Sequence, residues 1–246
     1  MYSKAIETYL HKHDFGAFAP QVVLFDMDGV LYHSMPNHAE AWQRAMAGYG
    51  LQMTEHDAYA TEGMRGVETI QAMVKQQTGQ NITEAEAQTM YDEKARLFAQ
   101  MPTPPVMPGV EQLMQQIRAA GIAIGIVTGS AQRALINRVR TDFANYVDEH
   151  NIVTAYDVTR GKPAPDPYLA GLKKAGNLEP WQAIVVENAP LGVRAGVAAQ
   201  IFTIAVNTGV LPDAALTDEG ANLLFHRMTD LSNAWESLSK CFAQCK

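Results

Sequence analysis

Four short runs of consecutive apolar residues interrupt the polar pattern of the chain and predict β-strands. The runs are continuous rather than alternating, which indicates strands that other elements cover on both faces. They are Val22–Phe25, Ile122–Val127, Ala183–Val186 and Phe202–Val206. Helical patterns lie between several of them, at Val110–Ala120, after Ser130 and at Tyr168–Ala175. Strands that alternate with helices predict an α/β fold with a doubly wound parallel sheet, a Rossmann-like core.

The interval between the first and second runs has a different pattern. From Ser34 to Thr103 it lacks a convincing strand and is rich in Ala, Met, Gln and Glu. Thr83 and Glu86 have the spacing of a capping box at the start of a helix. Prolines mark both borders of the interval, at 35–37 and 101–105. We therefore predict a helical cap over residues 34–103, inserted into an α/β core formed by residues 1–33 and 104–246.

Composition narrows the classes of function. Nineteen Lys and Arg residues against 26 Asp and Glu give a net charge of −7, which argues against binding nucleic acid through a basic face. No apolar run approaches the roughly 18 residues of a membrane span, and residues 1–14 do not resemble a signal peptide. Two cysteines, Cys241 and Cys245, are too few and too close for a disulfide framework. We expect a cytoplasmic protein, and no feature implies a protein partner.

Two carboxylates follow the first predicted strand. Asp26 and Asp28 alternate along an extended segment, so both side chains point to one side, and Gly29 then permits a sharp turn. Carboxylates at the end of a buried strand are costly unless a cation or a reaction requires them. The alternative is an ordinary turn with a helix cap, because short motifs of this kind also occur by chance.

Three further polar segments occur at or between the ends of later strands. Thr128, Gly129 and Ser130 precede a helix, where they form either an anion-binding seat or a plain N-cap. Lys162 lies between Gly161 and Pro163 on a stiffened loop, although most lysines are simply solvated.

The third segment is Glu187-Asn188, which ends the strand Ala183–Val186. Its oxygens suit a hard cation, or alternatively cap a helix. Because the carboxyl ends of parallel strands share one edge of a sheet, we expect all of these groups to lie close together.

In this order, the segments resemble the four motifs of the haloacid dehalogenase superfamily of phosphotransferases. A helical cap placed directly after the first motif resembles the branch that contains β-phosphoglucomutase and its phosphatase relatives. The resemblance extends from about Val22 to Val206. It is specific for the superfamily and says little about the substrate.

The resemblance implies a Mg²⁺-dependent phosphohydrolase with a small phosphorylated substrate. Asp26 would attack phosphorus and form an aspartyl phosphate, while Asp28 would act as general acid and then as general base. Thr128 and Lys162 would hold the transferred phosphoryl group. Mg²⁺ would be held by Asp26, the Asp28 carbonyl, Glu187 and Asn188. Many relatives carry Asp where this chain has Asn188, so Mg²⁺ binding would be weaker or depend more on Glu187.

Within the predicted cap, the resemblance assigns supporting roles to two residues. In the mutase relatives a histidine and a lysine of the cap support the acid/base aspartate. His38 and Lys94 lie at similar distances along the chain from Asp26. The alternative is that both are ordinary residues on solvated helix surfaces.

A cap loop around Glu62 and Arg65 bears on the substrate. In the mutase this loop presents basic residues to the second phosphate of a sugar, whereas Glu62 would repel such a group. The carboxylate would instead help to hold Mg²⁺ or a protonated leaving group around a compact substrate, or would simply face solvent. Arg65 retains the capacity to pair with phosphate.

This loop also resembles that of the pyrophosphatase-like members of the superfamily, so the sequence favours inorganic pyrophosphate as substrate. The alternatives are a sugar-phosphate phosphatase and β-phosphoglucomutase. Asp28 argues against dehalogenation, because a departing halide needs no proton. A binding or regulatory protein that has lost turnover is an alternative of another class.

Overall fold

A six-stranded, all-parallel sheet forms the centre of the molecule, with the strand order β3-β2-β1-β4-β5-β6. The computed structural model describes residues 2–130 and 133–242. The strands are β1 (Val22–Phe25), β2 (Ala123–Val127), β3 (Ile152–Val153), β4 (Ala183–Glu187), β5 (Phe202–Val206) and β6 (Leu223–Phe225). The predicted fold class is confirmed, and all four apolar runs form strands. The edge strands β3 and β6 escaped prediction because two or three residues are too short to give a hydrophobic pattern.

Helices cover both faces of the sheet. Outside residues 34–103 they are α1 (Tyr2–His13), α6 (Val110–Ala119), α7 (Arg133–Asp142), α8 (Asp166–Lys174), α9 (Pro190–Ala198), α10 (Ala214–Thr217) and α11 (Met228–Ser239). In β1, Val23 and Phe25 join the core cluster shared with α1, α6 and α11, whereas Val22 and Leu24 join the cluster shared with α8 and α9. Burial on both faces explains why the strand runs are continuously apolar.

The helix α1 is an addition to the predicted elements. Its sequence is polar and of mixed charge, yet Tyr9 is buried and its ring packs edge-on against Phe202 of β5. The Tyr9 hydroxyl donates a hydrogen bond to the Gln200 carbonyl at 2.8 Å. Burial of a few apolar residues against the sheet, rather than helical propensity, fixes this element.

Residues 34–103, hereafter the cap segment, contain helices and no strand. The helices are α2 (Met35–Gly48), α3 (Glu55–Ala60), α4 (Gly66–Thr78) and α5 (Glu84–Ala99). The predicted capping box is confirmed at the start of α5: Thr83 Oγ1 accepts from the Glu86 amide at 3.2 Å, and Glu86 accepts from the Thr83 amide at 2.8 Å. The two connections to the core lie side by side, since Tyr32 forms an antiparallel bridge with Val106.

Two predictions based on composition concern membrane spans and the cysteines. Among the described residues, no helix combines the length and apolar character that crossing a membrane requires. Cys241 is a partly buried free thiol, and Cys245 lies outside the described residues.

The sheet register brings the polar segments together. Phe25 at the end of β1 pairs with Ile126 of β2 on one side and with Val186 of β4 on the other. The next residues along these strands, Asp26 and Glu187 among them, therefore lie at the same level on the carboxyl edge. This edge of a doubly wound sheet is where ligands bind.

Candidate active site

A buried lysine connects the ends of three strands. Lys162 is 1% exposed, and its Nζ donates to Asp26 Oδ1 at 2.5 Å and to Glu187 Oε1 at 2.6 Å. A third hydrogen bond goes to the Val127 carbonyl of β2 at 3.1 Å. An ammonium has three donors, and all three are used here. Lys162 thus lies 136 residues from Asp26 along the chain but fixes the position of its carboxylate.

Glu187 accepts hydrogen bonds on both of its oxygens. Besides Lys162, the Tyr168 hydroxyl donates to Oε1 at 2.6 Å. The backbone amides of Asn188 and Ala189 donate to Oε2 at 3.1 and 3.4 Å. A Cβ atom on Gly192 would lie 1.9 Å from Oε1, so only glycine allows the first turn of α9 to approach the carboxylate so closely.

The charges of this cluster explain how its members titrate. Burial, and after it the charge of Glu187, raises the pKa of Asp26 well above its usual range, although Lys162 opposes the shift. Burial disfavours the charged form of Lys162, but the two carboxylates outweigh burial and raise its pKa above the ordinary value. Two carboxylates share one ammonium, so the cluster retains an excess of negative charge that a cation would neutralise.

The side chains around Asp26 show which groups could serve as ligands for Mg²⁺. Among the described residues, no three His, Cys, Asp or Glu side chains are grouped so as to hold a metal ion. The Asn188 Oδ1 atom, however, is buried without a hydrogen-bond partner, and a buried acceptor is rarely left unsatisfied. A Cβ on Gly29 would lie 2.0 Å from the amide nitrogen of Asn188, so the glycine leaves room for that side chain. Asp26 and Asn188 therefore supply oxygens that fit a hard cation.

The predicted anion seat lies at the end of β2. Thr128 is buried, and its Oγ1 accepts from the Ser130 amide at 3.0 Å. A Cβ on Gly129 would lie 3.0 Å from the carbonyl oxygen of Gly63 in the cap segment. The cap segment thus packs directly on this turn, and both Gly129 and Ser130 line the pocket between the two parts.

Asp28 belongs to a separate network. Its Oδ1 accepts from the Ser34 hydroxyl at 2.6 Å and contacts His38 Nε2 at 3.0 Å. The Nδ1 atom of His38 lies 2.7 Å from Lys94 Nζ. Because an ammonium only donates, His38 Nδ1 accepts from Lys94, and the Nε2–H donates to Asp28. Residues of the cap segment therefore position the carboxylate of Asp28, whereas Lys162 of the core positions that of Asp26.

Aromatic rings surround the ammonium of Lys94. Its Nζ lies 5.0 Å from the ring centre of Trp42, 5.4 Å from that of Phe98 and 5.8 Å from that of Tyr91. The ring faces attract the cation, which partly offsets the loss of water. Burial lowers the pKa of Lys94 to about 8, although Glu62 and Asp28 favour the charged form. Burial also opposes the charge of Asp28, but its neighbours His38 and Ser34 outweigh it and lower the pKa of that carboxyl.

We expect activity to fall at alkaline pH because Lys94 loses its proton. Its pKa is about 8, so the ammonium that orients His38 is present below this pH and is lost above it. The value of kcat/KM should fall as pH rises through 8, approaching about tenfold per unit. Profiles of kcat/KM from pH 6 to 10 measure this decrease, the alkaline limb of the pH profile.

The Lys94→Met variant should have a lower kcat/KM at neutral pH and should lack the limb near pH 8. Lys75→Met, at an exposed position of α4, serves as the control that keeps it. A limb that persists with the same midpoint in Lys94→Met would assign the titration to another group.

A small pocket separates this network from the cap loop. Its volume is about 30 Å³, which leaves room for a few water molecules at most. Glu62 is partly buried and lines this pocket. Burial, and to a lesser extent the charge of Asp28, raises the pKa of its carboxyl, although His38 and Lys94 oppose the shift. The lining residues are Asp28, His38, Trp42, Thr61, Glu62, Gly63, Met64, Gly66, Thr69, Tyr91, Lys94, Gly129 and Ser130.

Arg65 is not brought into the pocket. Its guanidinium lies 3.6 Å from Glu68 and 3.8 Å from Glu84, at the outer surface of the cap segment. The stem of Arg65 packs over Gly161, where a Cβ would lie 2.9 Å from Arg65 Cγ. These exposed ion pairs are weak, and the pairing of Arg65 with phosphate stays a prediction.

Sequence reasoning missed two groups that the structure adds to the site. Ser34 precedes a helix and has the sequence signal of an N-cap, but its hydroxyl donates to Asp28 and caps nothing. Tyr168 belongs to an apolar helical pattern, where only its hydroxyl hints at a buried polar partner. The local sequence gives no signal that connects Tyr168 with Glu187.

Comparisons with known proteins complement this geometry. The family model for haloacid dehalogenase-like hydrolases matches residues 20–200. Hexitol phosphatase A of Escherichia coli is 34% identical over 185 residues, covering 75% of this chain and 82% of that protein. A phosphorylated carbohydrates phosphatase of Thermotoga maritima is 30% identical over 203 residues, covering 82% of this chain and 92% of that protein.

A solved structure from Bacteroides vulgatus, provisionally named a β-phosphoglucomutase, has 44% identity and a TM-score of 0.94. The match covers 98% of each chain. The similarity therefore includes the cap segment as well as the α/β core.

Proposed function

Because the chain belongs to the haloacid dehalogenase-like hydrolases, we propose that it transfers the phosphoryl group of a small phosphorylated compound to Asp26 and then to water. It is an enzyme of the phosphatase class. The observation that carries the proposed mechanism is the buried cluster in which Lys162 bridges Asp26 and Glu187, at 2.5 and 2.6 Å. A lysine so placed orients one carboxylate oxygen and leaves the other for attack.

The first transfer uses both aspartates. An Asp26 carboxylate oxygen forms a bond to phosphorus while the bond to the leaving oxygen breaks, and Asp28 gives that oxygen a proton. His38 and Ser34 favour the carboxylate form of Asp28 in the free protein, but the negative charge of a bound phosphate favours the protonated form that this step requires. In the second transfer Asp28 takes a proton from water, which attacks phosphorus and releases phosphate and the Asp26 carboxylate. Thr128 and the backbone amides after it hold the phosphoryl oxygens.

Magnesium is the metal that this donor set suits. Asp26, the main-chain carbonyl of Asp28 and the Asn188 amide oxygen would hold it, while Glu187 orients Lys162. When bound, Mg²⁺ reduces the repulsion between the Asp26 carboxylate and the anionic phosphate. The unpartnered Oδ1 of Asn188 supports this assignment. The role of Glu187 then differs from that of a direct ligand, because both of its oxygens already accept hydrogen bonds.

The relatives support a proposal for the substrate class, a phosphate monoester of a sugar or a sugar alcohol. The names of the Escherichia coli and Thermotoga maritima relatives both indicate such compounds. Hydrolysis is favoured over mutase activity because Glu62, an acid, faces the pocket while Arg65 is turned outward. A mutase needs a cationic group for the second phosphate of its sugar bisphosphate intermediate. We further propose that the cap segment opens to admit the substrate and closes for the reaction.

Inorganic pyrophosphate is a second candidate, which the pocket itself favours. A space of about 30 Å³ beside Glu62 accepts little organic material in this closed arrangement. The Glu62 carboxyl, whose pKa is raised by burial, is suited to share a proton with a phosphate leaving group. This candidate agrees with the preference drawn from the sequence, whereas the relatives favour the monoester.

Phosphate release from a panel of compounds distinguishes these candidates. The panel contains pyrophosphate, glycerol 3-phosphate, a hexitol phosphate, a hexose 6-phosphate and β-glucose 1-phosphate, each with Mg²⁺ and with excess chelator. A metal-dependent preference for the sugar or sugar-alcohol esters supports the main proposal, and a preference for pyrophosphate supports the second candidate. Absence of metal-dependent turnover on every compound would contradict both and favour a binding protein.

We expect Asp28→Asn to lose activity in a way that depends on the leaving group. The amide can still accept the hydrogen bonds of Ser34 and His38 but cannot donate a carboxyl proton. For a sugar-alcohol phosphate, kcat/KM should fall roughly 10²- to 10⁴-fold. For an aryl phosphate, whose leaving oxygen needs no proton, the loss should be at least about tenfold smaller. Equal losses on both esters would remove Asp28 from the role of general acid.

A further inference from the structure

The pocket wall contributed by the cap segment contains two large aromatic side chains. Trp42 of α2 and Tyr91 of α5 both line the pocket, and their ring centres are 6.1 Å apart. Asp28 lines the same pocket. A leaving group that receives a proton from Asp28 therefore extends towards these rings, and their bulk limits its size.

The position of the Tyr91 ring depends on a glycine. A Cβ atom on Gly66, the first residue of α4, would lie 2.1 Å from two carbons of this ring. Because real side chains never approach so closely, the ring can occupy its place only while residue 66 lacks a Cβ. Tyr91 thus fills space between α4 and α5 that would otherwise enlarge the pocket.

The two aromatic residues differ in what else they do. Trp42 is 5% exposed, and its ring is the nearest of the three around Lys94 Nζ, at 5.0 Å. Removing it would disturb the lysine that orients His38. Tyr91 is only partly buried and lies farthest from Nζ, at 5.8 Å. Its truncation would open the pocket while removing only the most distant of the three ring contacts to Lys94.

We propose that Tyr91 determines specificity by limiting the size of the leaving group that the pocket accepts. The inference rests on the proposed function, because it assumes that a leaving group enters the pocket lined by Asp28. It goes beyond that function in assigning the limit to one side chain packed over Gly66. Small leaving groups are favoured while Tyr91 is in place, and larger polyols require its ring to move.

The test compares two esters that differ only in the size of the alcohol, glycerol 3-phosphate and a hexitol 6-phosphate. In Tyr91→Ala the ratio of kcat/KM for the larger ester to that for the smaller should rise roughly tenfold. Tyr91→Phe keeps the ring and should leave the ratio within about twofold of the wild-type value. If Tyr91→Ala does not fold, Tyr91→Leu provides the same comparison with a smaller expected rise.

Binding measurements separate this inference from the proposed function. In an Asp26→Asn background, calorimetry gives the Kd of both esters with and without Tyr91→Ala, independently of turnover. Relative tightening of the larger ester by Tyr91→Ala supports the inference even where the wild type hydrolyses neither. If pyrophosphate is the substrate, tripolyphosphate replaces the larger ester and the same rise is expected. An unchanged ratio in both turnover and binding would overturn the role of Tyr91.

Discussion

Asp26→Asn should abolish phosphate release, with a loss on the order of 10⁴-fold or more. The amide has nearly the shape of the carboxylate and can still accept from Lys162, but it is not a nucleophile toward phosphorus. Steady-state assays at saturating Mg²⁺ measure the loss. A residual rate within about tenfold of the wild type would exclude Asp26 as the attacking group.

The folded state of this variant should remain intact, which makes the loss interpretable. In the wild type Asp26 and Glu187 share Lys162, and burial with the charge of Glu187 raises the pKa of Asp26. When folding raises the pKa of a buried carboxyl, its full stability is present below the unfolded pKa and is lost as pH rises from that pKa through the folded one. The Asn variant removes that cost, so its melting temperature at pH 7 should equal or exceed that of the wild type. The exposed Asp218→Asn should change neither property.

Lys162→Met should destabilise the protein and inactivate it. The side chain is 1% exposed, and methionine nearly fills its volume, so the main change is the loss of charge. Asp26 and Glu187 would then be buried side by side without a counter-ion. Removing one partner of a buried ion pair typically costs about 3 to 5 kcal/mol. Urea denaturation measures the change in the free energy of unfolding, and phosphate release measures the activity.

The double variant Lys162→Met, Glu187→Gln identifies the cause of that destabilisation. Neutralising Glu187 removes one of the two uncompensated charges, so the double variant should recover a large part of the lost stability. It should remain inactive, because nothing then orients Asp26. A double variant no more stable than Lys162→Met would show that lost packing, rather than unpaired charge, causes the effect.

The apolar runs and the order of the polar segments determined the core of the fold. A strand covered on both faces must be apolar throughout, so β1, β2, β4 and β5 are visible in the sequence. Parallel strands have their carboxyl ends at one edge of the sheet, so the sequence alone predicts that Asp26 lies near Glu187. The edge strands β3 and β6 are not visible, because pairing with a neighbour rather than a pattern of their own fixes them.

The partners of individual side chains were decided by the tertiary structure. The sequence suggested that His38 and Lys94 support Asp28, but an equally plausible interpretation placed both on a solvated surface. Only the packing of α2 against α5 puts His38 between Asp28 and Lys94. For Arg65 likewise, only the tertiary structure decided that its guanidinium lies near Glu68 and Glu84 on the outer surface of the cap segment.

The sequence did not determine that Glu62 and Tyr91 line the same pocket. Local sequence fixes the type of an element and which of its residues point inward, because periodicity reports burial. It does not fix which distant groups share a pocket, because that depends on the angle and distance at which elements pack. The family and the phosphatase class were therefore predictable from the chain, whereas the size of the pocket beside Asp28 depends on how the cap segment packs on the core.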